Sequence, residues 1–167
     1  FTYFGEGYEF VRGLGRVSAV KNGFLSQLIP EDFLVRSRTL LSEQFSTSNQ
    51  GSNLEKKVSD IFGGFFDLFS DGSLLLVPLP GHFPGHMGLL ANLNSKPLFF
   101  VGDACWHIAN LDKTKRPPFI TLKFLNSTPD YHQTLDKIVE FKEMESDLDI
   151  IPCHCDASIA VSNNFLR

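Results

Sequence analysis

The stretch Leu79-Pro80-Gly81-His82-Phe83-Pro84-Gly85-His86-Met87-Gly88 decides how this chain is read. Gly81 and Gly85 permit backbone angles that other residues resist. Pro80 and Pro84 stiffen the turn between them. The expected result is a tight, rigid loop that aims His82 outward while His86 turns back to support the loop. Apolar residues precede it (Leu74 to Leu79), so the loop reads as the end of a buried strand, and Met87 opens the next strand.

Two further strands end in the same way. Phe99-Phe100-Val101 runs into Gly102-Asp103, and Ile150-Ile151-Pro152 runs into His154. Strand ends are rigid, so polar side chains placed there can converge on one point. Imidazole and carboxylate are ligands that zinc, manganese and iron accept. Taken singly, each residue also fits a structural role: a histidine after a strand can be a hydrogen-bonded spacer, and a Gly-Asp pair can be a turn.

Working outward, Phe1 to Gly5 reads as a strand, and Glu6 to Leu14 as a helix ended by Gly13 and Gly15. Pro30, Glu31 and Asp32 suit the first turn of a second helix running to about residue 45. Ser46 to Asn53 has no apolar residue and reads as a loop, either a solvated connector or a lid. Phe65 to Phe69, a Ser70-Asp71-Gly72 turn and Ser73 to Leu79 read as a hairpin. Met87 to Leu93, an Asn94-Ser95 turn, and Pro97 to Val101 continue the sheet. A helix follows from about Thr128 to Ser146, capped by Ser127 or Asp130, with Leu135, Ile138, Val139 and Phe141 on its inner face. Asp149 to Pro152 is the last strand. This order predicts one domain of the α+β, or layered α/β, class.

Composition agrees with a globular chain of 167 residues, 43% hydrophobic and 20% charged. The net charge of −4 and the short Lys56-Lys57 and Lys113 to Arg116 clusters argue against a nucleic-acid partner. No apolar run reaches the roughly 18 residues of a membrane span. Three cysteines, Cys105, Cys153 and Cys155, form no disulfide framework and point to a reducing compartment, the cytoplasm. A single C-x-C does not make a zinc knuckle. Cys105 reads as packing, and at least one of Cys153 and Cys155 as core. His132 opens a helix and reads as exposed. Arg116-Pro117-Pro118-Phe119 reads as a pocket rim or a plain loop.

The L-P-G-H-F-P-G-H-M-G run of residues 79–88 resembles the third metal motif of the metallo-β-lactamase-fold hydrolases. V-G-D-A at 101–104 resembles their fourth motif and I-P-C-H at 151–154 their fifth. The order matches, as does the spacing: 21 positions from His82 to Asp103 and 51 from Asp103 to His154. The resemblance covers roughly residues 60–157. It implies part of an αββα sandwich, with mixed sheets and flanking helices. It implies His82 and His154 as ligands of two separate metals, and Asp103 as the carboxylate that bridges them and acts catalytically through them. His86 would support His82 from behind. It further implies two zinc ions, with iron or manganese as other occupants, and a metal-bound hydroxide that attacks a small ester, lactone or thioester.

Two departures from the family pattern bear on function. Its H-x-H-x-D-H signature is absent, since no pair among His82, His86, His107, His132 and His154 has that spacing. Residues 1–167 then read as the C-terminal portion of a domain whose N-terminal part is missing. By itself such a chain should bind metal weakly, be inactive, and need the missing segment or a second chain, as in a homo-oligomer. Second, the acyl-homoserine-lactone lactonases carry tyrosine three residues after the bridging aspartate. Trp106 stands there in this chain, a substrate contact that can donate a hydrogen bond but not a proton. His107 could take part instead, or sit at the surface. The other readings are a mononuclear iron persulfide dioxygenase on the same scaffold and a non-catalytic family member.

Overall fold

A computed structural model describes residues 2–21, 24–47, 51–92 and 96–156. Its centre is a five-stranded sheet in the order β3-β4-β5-β6-β7. The strands are β3 (Phe66–Asp67), β4 (Leu74–Pro78), β5 (Met87–Asn92), β6 (Pro97–Gly102) and β7 (Asp149–Pro152). β3 to β6 form an antiparallel meander, and β7 joins β6 in parallel. A parallel neighbour needs a crossover connection, and α5 (Thr128–Met144) supplies it. Together with α3 (Asn53–Phe62) it covers one sheet face.

The core lies between those helices and the sheet. Leu75, Val77, Leu90, Phe99 and Val101 point into it from the strands, and Leu135, Ile138 and Phe141 from α5. Phe62, Phe99 and Phe141 meet edge to face at centroid separations of 5.6 to 5.8 Å, a favoured aromatic geometry. On the opposite face Leu74 and Phe100 are only half-buried, around the small cluster of Ala91, Leu98 and Ile151. Among the described residues no helix is long and apolar enough to cross a membrane.

The mixed sheet with flanking helices agrees with the layered α/β expectation, and β4 to β7 and α5 lie where the pattern put them. Ser127 caps α5, its hydroxyl accepting from the Asp130 amide. The expected strand at residues 1–5 is β1 (Thr2–Phe4), followed directly by α1 (Gly5–Gly13). The Asn94-Ser95 turn lies outside the described residues.

One expectation fails. No helix runs from Pro30 to residue 45: turns lead into β2 (Arg38–Leu40), which pairs in parallel with β1. A helix there would have had no core to cover, since Leu34 is 52% and Val35 90% exposed. Leu40 is fully buried, and the strand pairing is what seats it. α3, a helix the sequence reading did not place, begins at Asn53, the last residue of the expected loop. Ser52 and Glu55 form a reciprocal capping box, and Gly63 ends the helix in the left-handed conformation. Two short helices, α2 (Arg16–Lys21) and α4 (Phe119–Leu122), carry too little apolar periodicity to be read in advance.

Phe141→Ala should cost about 3–5 kcal/mol, because it opens a cavity against two aromatic partners. The expected result is a lower urea midpoint with an unchanged m-value.

Candidate metal centre

The loop after β4 is fixed from three sides. Its own turn closes with the Leu79 amide on the His86 carbonyl at 2.9 Å and the His86 amide on the Phe83 carbonyl at 3.1 Å. The N-terminal end of α5 holds it from below. The Ser127 amide donates to the Gly81 carbonyl at 2.9 Å, the Asn126 amide to the His82 carbonyl at 3.1 Å, and the Thr134 hydroxyl to the Pro80 carbonyl at 2.7 Å. Gly81 has φ +124°, and a Cβ there would stand 2.3 Å from the Tyr131 nitrogen. Only glycine meets both conditions. On the third side α1 packs so closely that a Cβ on Gly7 would meet the Pro84 carbonyl oxygen.

At the end of β6 the parallel register slips: Phe100 pairs with Ile151, but Gly102 pairs with Pro152. One extra residue on β6 forms a bulge, a feature that re-aims the side chains after it. Asp103 thereby faces the turn after β7. Its Oδ1 lies 3.0 Å from His154 Nε2, and its Oδ2 lies 3.5 Å from His82 Nε2. His82, Asp103 and His154, distant in sequence, therefore meet at one carboxylate, with each oxygen facing a different imidazole. His86 stands behind, its ring 5.7 Å from that of His82, and its Nε2 would be 3.1 Å from a Cβ on Gly102.

The surroundings of His82 and His86 favour the neutral imidazole, the form a metal ligand needs. Burial lowers the pKa of His82; the Asp103 carboxylate opposes this and His154 adds to it. Burial, with help from His82, pushes His86 down to about 4. For Asp103 burial pulls upward, but the Cys153 hydrogen bond and the three imidazoles outweigh it, and its pKa falls below the usual carboxylate value. His82 Nδ1 is buried without a hydrogen-bond partner among the described residues, leaving Nε2 as the nitrogen that faces the carboxylate.

The remaining expected residues divide. Trp106 is half-buried, its indole edge-on to His82 at 6.2 Å and tilted on Tyr131 at 5.8 Å, so it forms a wall beside the histidine. His107 lies apart as a cap, its Nδ1 accepting from the Ala109 amide. Cys105 is packing: it is fully buried, its thiol reaches the His107 carbonyl, and burial raises its pKa to about 12. His132 is half-buried, its carbonyl and its Nδ1 both within reach of Arg116, which also donates to Asp136 at 2.7 Å. Of the C-x-C pair, Cys155 is core.

Sequence reasoning missed two residues. Tyr131 is fully buried beneath Trp106, and its backbone seats Gly81. No local pattern marks a tyrosine that acts through its main chain. Cys153 is exposed and donates its thiol to Asp103 Oδ1 at 2.8 Å; its place beside His154 was the available signal.

No protein-family model matches the chain. N-acyl homoserine lactonase AttM of Rhizobium radiobacter is 34% identical over 80 residues, which is 47% of this chain and 28% of that protein. The protein of the same name from Agrobacterium fabrum is 32% identical over 80 residues, with the same coverage. The cytochrome P450 monooxygenase mpaDE of Penicillium brevicompactum is 44% identical over 55 residues, 31% of this chain and 6% of that protein. In structure, the chain resembles an N-acyl homoserine lactone hydrolase solved with N-hexanoyl-L-homoserine at its catalytic metal centre. The TM-score is 0.61 at 12% identity, over 96% of this chain and 48% of that one. A quorum-quenching N-acyl homoserine lactone lactonase gives 0.59 at 13% identity, over 93% of this chain and 49% of that one. The chain thus spans under a third of the curated lactonases and about half of the solved ones.

Gly81→Ala should destabilise the protein by about 2–4 kcal/mol, since its Cβ meets backbone rather than a movable side chain; chemical denaturation measures this. In the metal-free protein His86 binds its proton near pH 4 when folded and near 6.5 when unfolded. The unfolded state therefore holds more protons between those values, and stability should fall by about 3 kcal/mol as pH drops through that window. His86→Gln should flatten that part of the pH–stability curve. With a five-stranded sheet, flanking helices and this likeness to solved lactonases, the chain has a metallo-β-lactamase-type fold.

Proposed function

We propose that the protein is a metal-dependent hydrolase of lactones, with N-acyl homoserine lactones the first class to test. His82, Asp103 and His154 would be ligands of a two-zinc centre. The observation that carries this is the carboxylate of Asp103, whose two oxygens face two separate imidazoles at 3.5 and 3.0 Å. A carboxylate so placed can bridge two metals, and one that merely paired a histidine would not need a second. The donor set fits the group: imidazole and carboxylate suit zinc, iron and manganese, and His82 is held neutral. The matched lactonases support the choice of substrate.

Bound there, metal supplies Lewis acidity toward a carbonyl and lowers the pKa of water toward neutrality. This chain's residues do the rest. The loop from Leu79 to His86 fixes His82, and the β6 bulge fixes Asp103 against His154. Trp106 walls the His82 side and can offer its indole N–H to a substrate oxygen. Beside the loop, Phe83, Pro84, Gly85 and Met87 line an apolar cleft of about 320 Å³ with Tyr8, Phe24 and Phe33 from the first part of the chain. An acyl chain fits such a lining. Three ligands cannot fill two metal sites, so further donors would come from residues outside these 167, as in a longer chain or a second subunit.

Ring opening releases a proton, so activity can be followed with a pH indicator across lactones of different acyl length. Zinc-loaded protein that carries those further donors should open at least one, and Asp103→Asn in it should lower kcat/KM about 100-fold or more. If that protein, with zinc bound, opened no lactone, the reading would fail.

A further inference from the structure

Cys153 has so far been only a hydrogen-bond donor to Asp103, yet its thiol points into the site. Its thiol lies 2.8 Å from Asp103 Oδ1, the oxygen that His154 Nε2 approaches at 3.0 Å. The donor atoms of Asp103, Cys153 and His154 all lie within 4.8 Å of one another. We propose that Cys153 is a metal ligand in thiolate form, so that the His154 side of the carboxylate is an Asp–Cys–His site selective for zinc-like ions. This rests on the reading of Asp103 and His154 as ligands.

The local fold explains why the thiol reaches the site. β7 ends at Pro152, and the chain turns at Cys153 and His154 before Cys155 returns to the core at 1% exposure. The turn presents two neighbouring side chains, thiol and imidazole, on the same side of Asp103. Typical bond lengths of about 2.3 Å to sulfur and about 2.0 Å to nitrogen or oxygen put tetrahedral donors roughly 3.3 to 3.5 Å apart. The observed 2.8 and 3.0 Å are within about 1 Å of that spacing, drawn inward by the hydrogen bonds that a metal would replace. Without metal the thiol donates its proton in a hydrogen bond to Asp103 Oδ1. On binding, the sulfur–proton bond breaks, the sulfur electron pair goes to the metal, and the proton leaves to buffer.

A thiolate changes which metals the site takes. Soft sulfur favours zinc, cobalt(II) and cadmium over manganese and magnesium, which prefer oxygen donors. Cys153 would also supply a ligand where the histidine count is short. Cys105 and Cys155 are buried.

The test is cobalt(II) added to metal-free protein, with uptake measured by equilibrium dialysis and the thiolate by its near-ultraviolet sulfur-to-cobalt charge-transfer band. Wild type and Cys105→Ser should show the band. Cys153→Ser should lose it while keeping visible d–d bands, and its zinc affinity in chelator competition should fall about tenfold or more. Manganese affinity should not change. Cys153 is exposed, so its substitution should leave the melting transition of the metal-free protein in place. Cobalt bound by wild type without the band would overturn the thiolate assignment and leave the metal centre standing. A band that survived Cys153→Ser would overturn it as well. No cobalt uptake at all would overturn both readings.

Discussion

The structure around the candidate centre depends on one close approach, the seating of Gly81 on the backbone of Tyr131 at the start of α5. The space between them admits no Cβ, and three consecutive carbonyls, of Pro80, Gly81 and His82, are each satisfied by a donor from the α5 end. A loop so anchored has little freedom left to lose. The imidazole of His82 is therefore held in place before any ligand arrives, which is the condition for a precise metal site. The same contact ties the histidine to the core, because Tyr131, Leu135 and Ile138 continue as the buried face of α5.

The second constraint is the parallel pairing of β6 with β7. Parallel strands put their C-terminal ends at the same edge of the sheet, so Asp103 and His154 emerge side by side although 51 positions separate them. The bulge after Phe100 then turns the carboxylate toward the β7 turn. His86 joins the two constraints: it belongs to the anchored loop, and its ring lies against Gly102 at the base of Asp103. Burial keeps that ring neutral, so it fills space behind the His82 loop without adding a charge there.

The two ends of the site differ in access. His82 sits beneath Trp106 and is 27% exposed, whereas His154 is 66% exposed beside Cys153. The His82 side is walled by indole and adjoins the apolar cleft. The open side is where the thiol lies.

The sequence by itself determined the strands β4 to β7, the helix α5 and the polar residues at the strand ends. These are local matters: apolar runs, a capping serine, and glycines and prolines that allow only a few turns. The α3 capping box of Ser52 and Glu55 is local too, but the sequence reading placed no helix there. What the sequence misassigned, the segment from Pro30 to residue 45, has a helical stripe with no core to receive it, and pairing with β1 decided it instead. Only the tertiary structure decided that Asp103 faces both imidazoles, that Cys153 turns to the site while Cys155 turns to the core, and that Tyr131 underlies the loop. Each depends on a register slip, a crossover or a backbone contact between segments far apart in the chain, and local pattern carries no record of such distances.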